Sequence, residues 1–206
     1  MRRFGIPTGS GGWARDTRDS AIWTTRGNLQ RATLEATVPT GTLRYYKAGY
    51  EMQWYYPISQ NFTLALHGDI GAGDGFGNKP LPFFKNYYAG GVTSVRGYST
   101  ASLGPRDTND GSVIGGNRRV VGNAELLFPL PGAGTDRSVR LGAFVDGGQV
   151  FAPGEKLDIG ELRYSAGLSV AWNSPVGPLK FSVAKPLNAK TGDNIQRLQF
   201  TLGQIF

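Results

Sequence analysis

Nine stretches of this chain alternate apolar and polar residues with a period of two, the repeat of a strand whose faces meet different surroundings. Between 164 and 172, Tyr164, Ala166, Leu168, Val170 and Trp172 share one face, opposed by Ser165, Gly167, Ser169 and Ala171. Leu179, Phe181 and Val183 oppose Lys180, Ser182 and Ala184, and at the C-terminus Leu198, Phe200, Leu202 and Phe206 alternate with Arg197, Gln199, Thr201 and Gly203. Upstream, Ala32, Leu34, Ala36 and Val38 form one such face. Tyr46, Ala48, Tyr50, Met52, Trp54 and Tyr56 form the next, and Phe62, Leu64, Leu66 and Ile70 another. Val120, Ala124, Leu126 and Phe128 oppose Arg119, Asn123 and Glu125, while Val139, Leu141, Ala143 and Val145 oppose Arg140, Gly142, Phe144 and Asp146. A weaker first strand lies near 12–20, and no segment reads as a helix.

Alternation of this kind fits two all-β architectures. A soluble antiparallel sandwich buries the apolar face and solvates the polar one. A transmembrane barrel turns the apolar face to lipid and lines its lumen with the polar one. Three details favour the barrel. The strands run to about 9–13 residues, longer than the usual ~5–6 and suited to a tilted membrane crossing. Aromatic residues stand at strand ends (Trp54, Tyr56, Trp172, Phe206), where an interfacial girdle would place them. The opposite faces are rich in Gly, Ser, Thr and charge. The expected fold is therefore an antiparallel transmembrane β-barrel segment of about nine strands.

Composition narrows the rest. The 206 residues include 31 Gly and 12 Pro, a content suited to many strands joined by turns. No run nears the ~18–20 continuous apolar residues of a spanning helix, which excludes a helical membrane protein. The absence of Cys excludes disulfides and thiolate metal sites. MRRFGIPTGSGGW at the start lacks the apolar core of a signal peptide, so the chain is either cytoplasmic or part of something longer.

Connections alternate in length if the chain ends on the periplasmic side. Segments 187–194, 152–160 and 76–117 become external loops. Segments 174–178, 130–137 and 57–60 become periplasmic turns, and 39–42 is short for its external side. The stretch 76–117 is the outlier, because loops beyond ~15 residues are usually functional or disordered. A loop of that size entering a wide polar lumen needs pinning to offset its conformational entropy. Arginine suits the task through its planar fork of donors and permanent charge. Parity places Glu125 and Asp146 on the lumen side of neighbouring strands.

Inside the long loop, FFKNYYAGGVTSVRGYSTASLGPRD (83–107) carries V-R-G-Y at Val95, Arg96, Gly97 and Tyr98. GNAELLFP (122–129), FVDGGQVF (144–151), SAGLSVAWNSPVGPLKFSVAKPLN (165–188) and an aromatic C-terminus follow. This order resembles the outer-membrane assembly superfamily of bacterial surface antigen type, with its VRGF/Y hallmark, across essentially the whole chain. The resemblance implies the last nine or so strands of a sixteen-stranded barrel, with the soluble POTRA domains of the family absent from this chain. It implies that Arg96 contacts Glu125 and Asp146 with Phe144 packed nearby, that Gly97 allows a tight turn and that Tyr98 anchors the loop tip by its ring. It also implies that Leu198, Phe200, Leu202 and terminal Phe206 form an outer-membrane recognition signal and one side of a lateral gate, kinked at Gly203.

The activity implied is non-enzymatic: folding and inserting β-barrel proteins into the outer membrane of a Gram-negative bacterium without cofactor or nucleotide. Implied partners are outer-membrane lipids and lipopolysaccharide, unfolded outer-membrane protein clients, and accessory lipoproteins of the assembly machinery, mainly through POTRA domains. Two-partner secretion transporters share the VRGY motif, so a secretion pore is the alternative. Other chemistries lack support. His67 shares a face with Asp69 but no G-x-S-x-G elbow supplies a nucleophile. The glycines of GDIGAGDGFGN (68–78) lack the Lys-Ser/Thr of a phosphate loop. No cluster has metal-ligand spacing. The net charge of +7 is spread between loops and lumen, which suits anionic lipid rather than nucleic acid.

Overall fold

The computed structural model describes residues 8–38, 43–132, 138–175 and 177–203. In chain order the strands are β1 (Thr8–Asp16), β2 (Gly27–Thr37), β3 (Tyr45–Pro57), β4 (Thr63–Gly75) and the short β5 (Gly97–Tyr98). There follow β6 (Arg118–Pro129), β7 (Val139–Phe151), β8 (Arg163–Ser174), β9 (Gly177–Pro186), the short β10 (Ile195–Gln196) and β11 (Leu198–Leu202). Nine of them make one antiparallel sheet in the order β1-β2-β3-β4-β6-β7-β8-β9-β11, with β1 and β11 at its edges. The sheet is thus an open arc of barrel wall. β5 and β10 pair with each other apart from it. Helical structure among the described residues is limited to two 3-10 turns, Phe83–Lys85 and Ile159–Glu161.

The sheet is inside-out relative to a soluble protein. Leu168 is 64% exposed and Val183 58%, whereas Asp146 is fully buried and Glu125 only 5% exposed. Each follows the parity of its strand, so apolar side chains face outward and charge faces the concave side. Trp54, Tyr56, Phe62 and Trp172 are exposed near the ends of β3, β4 and β8 that meet the short turns. That clustering is the girdle expected at one membrane interface.

The concave side is filled by segment 76–117, which folds back into the arc. Its ladder is irregular, with isolated bridges Tyr87–Gly116, Ala89–Leu103 and Arg106–Val113. A small apolar core forms where Tyr87, Ala89, Val95, Tyr98 and Leu103 of the segment meet Val121 and Val150 of the wall. The segment can pack this closely because β8 and β9 point small groups inward: Ser165, Ser169, Ala171, Ser182 and Ala184 are all buried.

One strand boundary differs from the sequence expectation. The first strand lies at Thr8–Asp16 rather than near 12–20, because Asp16 turns back to pair with Arg18 at 2.8 Å and Asp19 accepts the Thr25 N–H in the connection that follows. Strand β4 runs on to Gly75 through glycines whose backbones β3 still pairs, Gly71 with Gly49 and Gly73 with Lys47. The connection 17–26 lies at the short-turn end, since Gly27 pairs with Tyr55, yet it is long. It reaches across to β7, where the Thr24 carbonyl accepts a 2.8 Å hydrogen bond from Arg140.

Candidate functional site

Register explains how the wall presents two carboxylates to one arginine. Asn123 of β6 lies opposite Asp146 of β7, and Glu125 opposite Phe144, so the two acids stand one inward position apart on adjacent strands. Arg96 enters from the loop between them. Its Nε and Nη2 donate to the two Asp146 oxygens, each at 2.7 Å, and its Nη1 donates to Glu125 Oε2 at 2.9 Å. The Arg96 backbone N–H adds a 3.0 Å bond to Asp146. The guanidinium lies over the Phe144 ring, 3.3 Å from its centroid. Arg96 itself is only 4% exposed.

A second cation completes the cluster. Lys180 Nζ of β9 donates to Glu125 Oε2 at 3.1 Å, and the Ser169 hydroxyl donates to Glu125 Oε1. Two buried cations thus face two buried carboxylates, so the cluster is neutral as a unit. It can span four strands because the wall between its members is nearly flat. A Cβ on Gly142 would lie 2.4 Å from both Glu125 Oε1 and Ser169 Oγ. Phe144 occupies the space over Gly167, where a Cβ would meet its ring at 2.7 Å and the Val183 carbonyl at 2.1 Å.

The rest of the motif is equally enclosed. Val95 is fully buried over Gly148, whose Cβ would come within 2.8 Å of it. Gly97 has φ +90° and lies against β9, where a Cβ would stand 3.1 Å from that of Ala184. Tyr98 is fully buried against the wall rather than at the loop tip, and its hydroxyl donates to the Tyr164 carbonyl at 3.3 Å. Burial pushes the Tyr98 phenol up to about 12, which keeps it a neutral donor at physiological pH. Flanking contacts reinforce the hold. Asn123 Nδ2 donates to the Ser94 carbonyl at 2.5 Å, and Lys85 pairs with Glu35 at 2.6 Å. The Glu35 carboxylate holds the Lys85 ammonium above its ordinary pKa.

Of the residues singled out in sequence, the structure brings Val95, Arg96, Gly97, Tyr98, Glu125, Phe144 and Asp146 together. Leu198, Phe200 and Leu202 lie elsewhere, on the outward face of β11, with the Phe200 ring 4.8 Å from that of Phe181 on β9. Gly203 follows the strand at φ +85°, and Phe206 lies outside the described residues. His67 contacts Asn123 and Glu51, while Asp69 is held by Arg119. Sequence reasoning missed Lys180, Ser169 and Gln199. Parity put all three on the inward face, but nothing in their spacing marked them as members of a site.

Comparison with known proteins identifies the family. The Omp85 superfamily domain matches residues 7–206. The outer membrane protein assembly factor BamA of Neisseria meningitidis is 43% identical over 96% of this chain. The sorting and assembly machinery component 50 homolog of Mus musculus is 30% identical over 91% of it. The chain spans 28% and 43% of those two relatives. The crystal structure of BamA from Haemophilus ducreyi lacking POTRA domains 1-3 superposes with a TM-score of 0.85 at 32% identity, covering 93% of this chain and 41% of that one. With a barrel wall, a lumen loop fastened by its VRGY arginine and a family match over nearly its whole length, the chain belongs to the Omp85 superfamily.

Proposed function

We propose that this chain forms the C-terminal part of an outer-membrane insertase barrel, which folds and inserts β-barrel proteins without covalent chemistry. The observation that carries the reading is the neutral buried cluster of Arg96, Lys180, Glu125 and Asp146, which seats a lumen loop beside a short, outward-apolar final strand. In this reading the cluster holds the loop in the lumen, and β11, bearing Leu198, Phe200 and Leu202, is one side of a gate through which a client strand enters. A strand edge that comes free is a template for a further strand, and β11 is joined to β9 by only five residue pairs among the described residues. The similarity to BamA proteins and to SAM50 homologs, named for assembly and sorting, supports this reading over a two-partner secretion pore.

The chain would supply about nine of sixteen strands, with clients, outer-membrane lipid and lipopolysaccharide at the wall and BAM lipoproteins reached mainly through POTRA domains. The test is reconstitution of the full-length protein in lipid vesicles with an unfolded outer-membrane barrel protein as client. Accelerated client folding is expected, and Arg96→Ala should lower it. Full acceleration with that variant, or none with the native protein, would overturn the reading.

A further inference from the structure

The end of the chain divides its pairing between the wall and the lumen loop. Leu198–Leu202 pair with β9 on the wall, whereas Ile195 and Gln196, just upstream, pair with Tyr98 and Gly97 of the VRGY segment. Arg197 joins the two, its carbonyl accepting the Ala184 N–H at 2.8 Å. The Ser99 N–H donates to the Asn194 carbonyl at 2.8 Å, which extends the contact with the loop.

Gln199 closes the arrangement from the wall side. It lies on the inward face of β11 and is 4% exposed. Its Nε2 donates to the Tyr98 carbonyl at 2.7 Å, and its Oε1 accepts the Gly97 N–H at 3.3 Å. A carboxamide has the same donor and acceptor as a peptide unit. Gln199 therefore offers Gly97 and Tyr98 what a neighbouring strand would, with its backbone in the wall ladder. Among the described residues β11 is 5 residues long against 10 for β9, so two further buried hydrogen bonds are a large share of what holds it there.

We propose that Gln199 is a positioning residue that ties the final strand to the VRGY segment, so that release of the loop and peeling of β11 from β9 are coupled. The inference rests on the reading of β11 as a gate strand, but the coupling can be measured without any client. Gln199→Met keeps the volume and removes both hydrogen bonds. Gln199→Glu keeps an acceptor for the Gly97 N–H and loses the donor to Tyr98.

The experiment is amide hydrogen exchange on the full-length protein in lipid vesicles, read on peptides covering 95–99 and 197–202. Gln199→Met should raise exchange in both peptides by about tenfold, with Gln199→Glu raising it at least as far because a buried carboxylate oxygen then faces the Tyr98 carbonyl. Arg96→Ala should raise exchange at 197–202 when Gln199 is present and add little when it is methionine, a non-additive cycle. Unchanged exchange at 197–202 in Gln199→Met, or multiplicative effects of the two substitutions, would overturn the coupling. If Gln199→Met does not assemble, the cycle is run with Gln199→Glu under the same criteria. Non-additivity in a protein that fails to accelerate client folding would leave the coupling standing and remove the gate reading instead.

Discussion

Arg96 touches both carboxylates of the cluster, and its removal is the sharpest test at the scale of a single residue. Arg96→Ala would leave the buried carboxylates of Glu125 and Asp146 sharing one lysine, and uncompensated buried charge costs about 3–5 kcal/mol. Unfolding in urea, followed by loss of heat-modifiable migration, should shift by that amount. Arg96→Lys keeps the charge but not the fork that donates twice to Asp146 at 2.7 Å, so it should fall between native and alanine. An alanine variant as stable as the native protein would show that the ion cluster does not hold the loop. Gly167→Ala tests the wall beneath. Its Cβ would lie 2.1 Å from the Val183 carbonyl, a backbone atom that cannot swing aside, so a loss of at least about 1–3 kcal/mol is expected in the same assay. Arg96, Glu125 and Asp146 were legible in sequence because a motif marked one and strand parity the others. Lys180 was not, because its contact with Glu125 depends on the flatness of Gly142 and Ser169 between them, which is a property of register.

At the scale of elements, segment 76–117 is a packed insert rather than a free loop. Its 42-residue span reads in sequence as structureless because its pairing consists of isolated bridges and the two-residue β5, which no periodic pattern announces. Burial divides it sharply. Val95, Arg96, Gly97 and Tyr98 are enclosed, while 108–112 at its tip are exposed. Proteinase K should therefore cut the native protein first within 108–112, since cleavage follows the exposed, least protected backbone. Arg96→Ala should open a second set of cuts between 86 and 103. Cleavage confined to the tip in that variant would mean that the apolar core around Tyr87, Leu103 and Val150 retains the segment by itself. The boundary that sequence misplaced is that of β1, which ends at Asp16 where the side chain turns back to Arg18. Beyond Ile70 the apolar alternation of β4 gives out in glycines, and pairing with β3 keeps that stretch extended to Gly75.

Across the whole molecule the decisive property is which face of the sheet meets solvent, and alternation could not supply it. A sandwich and a barrel share the period, and the choice between them rested on strand length and aromatic position. The structure resolves it through residues such as Asp146, buried, and Leu168, exposed on the neighbouring strand. Leu168 lies midway along β8, between Ala143 of β7 and Val183 of β9, so it would sit near the middle of the bilayer. Leu168→Arg should then cost about 2–4 kcal/mol, the range for a cation placed on the lipid face at mid-depth. Ser169→Arg would test a different thing, because the adjacent residue points inward at Glu125 and would crowd Lys180. The measurement is folding of the full-length protein into vesicles of defined thickness, with stability read from urea titration. On an ordinary soluble surface an exposed Leu→Arg change stays within about 0.5 kcal/mol. A change that small for Leu168→Arg would mean that the outward face does not contact lipid. A loss in the expected range that shrinks for outward positions nearer the girdle, such as Trp172, would map the depth of the wall in the membrane.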